Sequence, residues 1–340
     1  MRAIGRTARL LCWTALTAGV GLSGCGTGPA ADTPTRQERF ILANVHVEGY
    51  PTARGLQHFA EAVSRDALLG PAIEVDLQLG GVLGNEKELL EKLRFGGVQM
   101  ACVSVAPLTE FSQQIGVLTL PYLFADGAQM WRVLDGPIGR QLLASVEDAG
   151  FVGLTWYDAG ARSFYNRRRP VHSLDDLDGL KIRVQKSEMM RRMVEALGAS
   201  PVSIGFKDVY TNLLTGNIDG AENNLPSYRS ERHFEAAKFY SFDRHSMVPD
   251  LLLINAQSWR ALSAEEQTAL RRAAAASTAA QRAFWSEYET EALAILVAAG
   301  VEIVEIADLE PFRRAVEPLY EQHGARYGAL VERLREAARR

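Results

Sequence analysis

Residues 179–228 read GLKIRVQKSEMMRRMVEALGASPVSIGFKDVYTNLLTGNIDGAENNLPSY. The run 180–184 (LKIRV) is short and apolar apart from its charges, as expected of a strand. Ser187 opens a helix with Met189, Met190, Met193, Val194 and Leu197 on its inward face, and Gly198 closes it. Methionines at that spacing fill a core and do not form a cofactor box. A second helix over 208–215 stops at Gly216, and 218–222 is the next strand. Such alternation specifies an α/β unit.

Upstream, 161–166 reads as a strand just after Gly160. Ser173 with Asp176 starts a short helical turn that Gly179 ends. Farther back, 40–47 is a strand and 52–69 a helix with Leu56, Phe59, Ala60 and Val63 on one face. The alternating 73–79 (IEVDLQL) is a strand. Asn85 caps a helix over 86–95, Gly96-Gly97 stops it, and 98–105 is a further strand. This β-α-β-α-β order predicts a first α/β domain with a largely parallel sheet. Downstream, Ser263 and Glu266 form a capping box. Nothing breaks the helix from there until Gly300. At 1.5 Å per residue it is about 50 Å long, more than one small domain, so it is expected to brace two. A strand over 301–306 and helices rich in Arg and Glu complete the chain.

The 340 residues suggest about two domains. A 47% hydrophobic, 23% charged composition excludes a disordered or collagen-like chain. A formal charge of -4 argues against a non-specific nucleic-acid binder. Arg2, Arg6 and Arg9 precede an apolar stretch over 10–24 that is too short to span a bilayer as a helix. This is the layout of a secretory signal peptide, residues 1–24. It ends Leu22-Ser23-Gly24-Cys25, which resembles a bacterial lipobox and implies lipid on Cys25 after cleavage. Residues 25–37 then read as a lipidated tether. The expected location is periplasmic, with the membrane reached only through that anchor. Cys12 leaves with the signal peptide and Cys102, in MACVSV, is read as a buried small hydrophobe.

Chemistry-bearing motifs are mostly missing. The sequence contains no HExxH, CxxC, GxxxxGK[ST] or GxSxG. Gly80 to Gly84 tempts a dinucleotide reading, but Leu79 stands where the first Gly of GxGxxG belongs. None of the six histidines has metal-ligand spacing, so each is read as a surface or hydrogen-bonded core residue. No metal and no cofactor are expected.

Charge is the informative feature. Residues 159–192 hold nine bases against four acids in a chain that is negative overall. Arg167–Arg169 before Pro170 fit a solvated turn. Arg183 does not, because it sits inside an apolar strand, and Arg162 likewise interrupts a strand-like stretch. Asn223 and Asn224 follow the strand over 218–222. In open α/β sheets ligands bind beyond the carboxyl ends of strands. A guanidinium there matches a carboxylate bidentately. The residues therefore point to a small-anion cleft between two α/β domains.

The stretch 179–228 also resembles the solute-binding proteins of TRAP transporters, the tripartite ATP-independent periplasmic carriers of DctP type. The G-L-K-I-R-V strand, the A-L-G-A-x-P…F-x-x-V-Y-x-x-L-x-T-G unit and the D-G-A-E-N strand end match in order and spacing. The turn 81–88, LPYLF over 120–124 and GARSFYN over 160–166 agree, and the likeness covers about 38–335. It implies a two-domain periplasmic binding protein of Venus-flytrap form, with a long helix bridging both domains. Such a protein closes on a carboxylate-bearing solute and delivers it to a membrane permease driven by an ion gradient. The domains would be 38–159 with 248–288, and 160–247 with 289–335. The resemblance gives Arg183 the ligand carboxylate and makes Arg162 a second arginine. It adds Asn223 with its neighbour Asn224, and Phe206 packing on the ligand. From the first domain it adds Glu86, Ser104 and, after the first strand, Glu48.

The wording of 46–52, 157–166, 219–228 and 233–240 is similar to the uronate-binding branch, so a hexuronic acid is the expected ligand. That branch implies Asn where Ser104 stands. A secreted enzyme acting on sugar acids, with Glu86, His46 and Glu48 as acid/base candidates, is the rival from another class. No activating constellation supports it. A sensor subunit presenting ligand to a receptor would share the fold.

Overall fold

The computed structural model describes residues 37–339. The stretch 1–24, read as a signal peptide, and Cys25 lie outside the described residues. Two sheets, each flanked by helices, make two α/β lobes. The first sheet runs in the order β2 (Ile73–Gln78), β1 (Glu38–Ala43), β3 (Met100–Ser104), β10 (Asp250–Asn255), β4 (Phe151–Tyr157). In the second the order is β11 (Glu302–Glu305), β9 (Phe239–Ser246), β5 (Arg162–Asn166), β8 (Gly220–Asn223), β6 (Lys181–Val184), β7 (Ser200–Ser203).

The expected parallel arrangement of the first sheet holds for β1 with β2 and β3, but β10 lies antiparallel between β3 and β4. In the second sheet β5 is likewise antiparallel to β8 and β9. Connectivity explains this. The chain leaves the first lobe at the end of β4 and returns as β10; it enters the second as β5 and leaves at the end of β9. A strand leaving and a strand arriving at the same boundary run in opposite directions, and here they pair.

Local signals work as the residues suggest. Asn85 accepts from Lys87 N and Glu88 N while Glu88 Oε2 accepts from Asn85 N, completing a capping box on helix Glu86–Arg94. All five residues of β3 are buried, and Cys102 packs among Phe40, Leu56 and Leu252 as a small hydrophobe. Met189, Met190 and Met193 are core residues of helix Glu188–Ala196.

The long helix spans Ala264–Ala298, with Ser263 and Glu266 capping it. Its first half lies along helix Pro51–Arg65 and β4, where Ser277 Oγ meets Tyr157 Oη at 2.7 Å. Its second half reaches the other lobe, where Glu291 pairs with Arg229 at 3.0 Å. Between them, fully buried Gln281 brackets the crossover: its Oε1 accepts from Asp158 N and its Nε2 donates to Asp158 O, both at 2.8 Å. Gly160, at φ +59°, follows; a Cβ there would lie 2.8 Å from the Trp285 ring. The C-terminal segment, expected to stay with the second lobe to 335, divides its packing. Helix Glu310–Tyr327 lies on helix Glu188–Ala196, whereas Ala329–Arg339 lies on Gly127–Leu134 of the first lobe, with Arg132 Nη2 donating to Ala338 O at 2.9 Å. No helix among the described residues is long and apolar enough to cross a membrane.

Candidate functional site

The facing ends of the two sheets line one small pocket. From the second lobe come Arg162 at the start of β5, Arg183 in β6, Asn223 at the end of β8, Asn224 just after it, and Phe206 at the start of the 3-10 turn Phe206–Asp208. From the first come Ser104 at the end of β3 and Glu86 in the first turn of its helix. Seven of the eight residues read from the sequence thus share one site. Glu48 does not. It is exposed, in a turn closed by Tyr50 N donating to Val47 O, with Gly49 at φ +85°. His46, just before that turn, lines the pocket instead.

The two arginines differ in how much of the guanidinium is committed. Arg162 is 4% exposed and spends most of its donors inside the protein. Its Nε and Nη2 donate to Glu222 Oε2 and Oε1 at 2.5 and 3.0 Å, Nη2 also to Glu222 O at 2.8 Å, and Nη1 to Asn223 Oδ1 at 2.9 Å. Arg183 is 3% exposed, and only its Nε is tied, to Ile204 O at 3.0 Å. Among the described residues neither Arg183 Nη has a hydrogen-bond partner, so its planar fork faces the pocket unspent. Asn223 Oδ1 accepts from Arg162 and from Asn224 N, which orients its amide with Nδ2 free to donate. Asn224 is built in more tightly. Its Oδ1 caps helix Leu225–Ser230 by accepting from Ser227 N, and its Nδ2 donates to Ala159 O.

Acceptors face these donors. Glu86 Oε1 accepts from Ser104 N at 2.7 Å, and its Oε2 accepts from Gln185 Nε2 across the lobes at 3.4 Å. Burial raises the Glu86 pKa, against Ser104 N–H, Arg183 and Arg162. Asp250, at the head of β10, accepts from Thr52 Oγ1 at 3.1 Å. Ser104 Oγ accepts from Ala106 N at 3.4 Å, which leaves its proton to donate. His46 stacks on Tyr50 at 3.9 Å between ring centroids, and Phe206 meets it edge-on at 5.3 Å.

His46, Gln185, Ser227 and Asp250 are pocket residues that the sequence did not single out as a binding set. Asp250 had a usable signal: a carboxylate leading the apolar run DLLLIN, the counterpart of Arg183 within LKIRV. A network behind the pocket was equally hidden. His245 Nε2 lies 3.3 Å from Glu222 Oε2, its Nδ1 lies 3.0 Å from Asp243 Oδ2, and Tyr122 Oη donates to that same oxygen. Among the described residues no group of three or more Asp, Glu, His or Cys side chains could hold a metal ion.

The chain has known counterparts. Residues 42–326 match the family described as bacterial extracellular solute-binding protein, family 7. The chain belongs to this family. A solute-binding protein of Chromohalobacter salexigens is 34% identical, the match covering 82% of each chain. A solved TRAP periplasmic solute-binding protein from Bradyrhizobium, in complex with galacturonate, is 41% identical with a TM-score of 0.85, covering 88% of this chain and 100% of the other. Another from Roseobacter denitrificans, with bound β-D-glucuronate, is 37% identical with a TM-score of 0.84, covering 87% and 99%. As a family 7 solute-binding protein the chain is a carrier of small molecules and not an enzyme.

Titration of the buried groups shapes the stability of this binding protein. Burial, then Arg162, pushes the His46 pKa down to about 3; burial, then Arg183, does the same to His233. Burial, then Glu86, pushes Asp250 up to about 8. For His245 burial opposes the charge, but Asp243 and Glu222 prevail and push it up to about 9. Between pH 3 and 6.5 the unfolded chain holds protons on His46 and His233 that the folded protein lacks, so these two contribute stability that rises with pH, against the raised carboxyls of Glu86 and Asp250. Asp250 offsets one of these above 3.8. Above 6.5 the folded protein holds extra protons on His245 and Asp250, so stability falls through pH 8 and 9. Each group contributes a slope of at most about 1.4 kcal/mol per pH unit. The melting temperature, followed at constant ionic strength, should therefore fall between pH 6.5 and 9. A continued rise to pH 8.5 would contradict these assignments.

Proposed function

We propose that this protein captures a hexuronate, galacturonate or glucuronate, between its lobes and delivers it to the membrane permease of a TRAP transporter. The observation that carries the reading is the Arg183 fork: pinned through Nε by Ile204 O, buried, and with both Nη groups unspent toward the pocket. It takes the solute carboxylate bidentately, each charge-assisted hydrogen bond contributing about 1.5–3 kcal/mol. Asn223 Nδ2 and the remaining Arg162 N–H add donors. Glu86, Asp250 and Ser104 read sugar hydroxyls from the opposite lobe, and Phe206 packs against the apolar face of the ring. The galacturonate and glucuronate complexes of the similar proteins support the ligand class. With groups from both lobes on one solute, binding favours the closed arrangement.

The protein is further proposed to be exported and held at a membrane by lipid on Cys25, on the strength of the signal layout over 1–25. Membrane retention that survives Cys25→Ser would refute the anchor.

A thermal-shift panel tests the ligand. At 100 times its Kd a uronate should stabilise the fold by about 2.7 kcal/mol. Galacturonate and glucuronate should shift the melting temperature, with the neutral sugars galactose and glucose inert. Equal shifts by the neutral sugars, or none by either uronate, would sink the carboxylate clamp as the basis of binding.

A further inference from the structure

A second cavity, of about 540 Å³, adjoins the sugar-acid pocket. The two share no lining residue, but Lys87 and Lys186 in its wall follow directly on Glu86 and Gln185, which meet across the lobes at 3.4 Å. Its walls come from both lobes: Lys87 and Gln113 from the first, Lys186 and Ser187 from the second, with His323 and Arg326 from helix Glu310–Tyr327.

Its charge is one-sided once pairs are removed. Glu110 is taken up by Lys87 at 2.6 Å, and Glu188 by Arg191 and Arg192 at 2.7 Å. Lys186 and Arg326 have no ion-pair partner among the described residues. Helix Glu188–Ala196 starts in this wall, and its N-cap residue, Ser187, makes no side-chain cap hydrogen bond. The orphan N–H groups of its first turn and the positive end of its dipole therefore have no side-chain acceptor at the cap. Two buried polar atoms at the cavity point the same way. Ser187, 5% exposed, has its Oγ without any partner, and so does His323 Nε2. Burial, then Arg192 and Arg326, pushes the His323 pKa down, as a locally positive field would.

We propose that this cavity is a second binding site, for a small oxoanion of the phosphate or sulfate type, seated at the start of helix Glu188–Ala196. Ser187 Oγ, Lys186 Nζ and the Arg326 guanidinium donate to it, together with the helix N–H groups. Because both lobes build the walls, the site is complete only when they are together. Occupation then favours the closed form and, by linkage, tightens sugar-acid binding, a coupling that rests on the uronate reading.

The test titrates the full chain with inorganic phosphate and, separately, sulfate, against chloride at matched ionic strength. Melting temperature is read without sugar acid, and the galacturonate Kd at saturating oxoanion. Phosphate or sulfate should raise the melting temperature and lower the galacturonate Kd about fivefold, and the stronger of the two names the anion. Ser187→Asp caps the helix with its own carboxylate. It should abolish the oxoanion response while galacturonate affinity in chloride stays at the wild-type value. The double variant Lys186→Gln/Arg326→Gln should blunt the same response without touching the helix start. An oxoanion effect absent from both readouts, or undiminished in both variants, overturns the site. Failure of the wild type to bind galacturonate in chloride strikes the uronate reading instead, and the melting shift without sugar still decides this one.

Discussion

Arg183→Lys should weaken galacturonate binding between about thirtyfold and about a thousandfold while the protein folds normally. Lysine keeps the charge but not the planar fork, so at least one of two charge-assisted hydrogen bonds to the carboxylate is lost, about 2–4 kcal/mol. It also lacks an Nε–H to reach Ile204 O, the bond that aims the side chain. Folding should be spared because among the described residues Arg183 makes no ion pair, and its single hydrogen bond there ends on a backbone carbonyl. Isothermal titration beside a urea midpoint separates the two effects. Wild-type affinity in the variant would show that the carboxylate is bound elsewhere.

The Arg162→Ala variant should fail differently. Its partner Glu222 is fully buried and held at about 2; burial favours the neutral acid, but Arg162, first among the charges around it, overrides this. Removing the guanidinium strands that carboxylate with His245 as its one remaining charged partner among the described residues, and releases Asn223 Oδ1 as well. Breaking one side of a buried pair costs about 3–5 kcal/mol, a large share of an ordinary domain's stability. The urea midpoint should fall accordingly. Arg162→Ala/Glu222→Ala should lose less than the sum of the two single changes, since the stranded charge is gone. A single-variant loss below about 1 kcal/mol would mean the pair contributes little. The family resemblance presented Arg162 as a second ligand arginine. The structure gives most of its donors to the fold, and so makes its loss the larger threat to stability.

That contrast shows what was legible. Strands and helices came from periodicity and caps, because those signals live within a few residues: Asn85 with Glu88, Ser263 with Glu266, the methionine face closed by Gly198. Arg183 stood out because a charge inside an apolar strand needs a partner the strand cannot supply. Glu48 lies outside the pocket in this structure because its turn is set by Gly49 and the Tyr50–Val47 bond, and a turn's direction cannot be read from residue types alone.

Local patterning therefore determined the α/β character, the two lobes, the long brace and the presence of an anion-seeking arginine at a strand end. Which arginine is free and which is spent was decided by pairing over distance. Glu222, 60 residues from Arg162, neutralises it from the adjacent strand. Among the described residues no carboxylate pairs with Arg183's fork in the same way. Asp250 and His46 entered the pocket only when the returning strand β10 and the loop after β1 met the other lobe. A side chain's chemistry is written in its type, but its unspent hydrogen-bonding capacity depends on neighbours that only folding brings near.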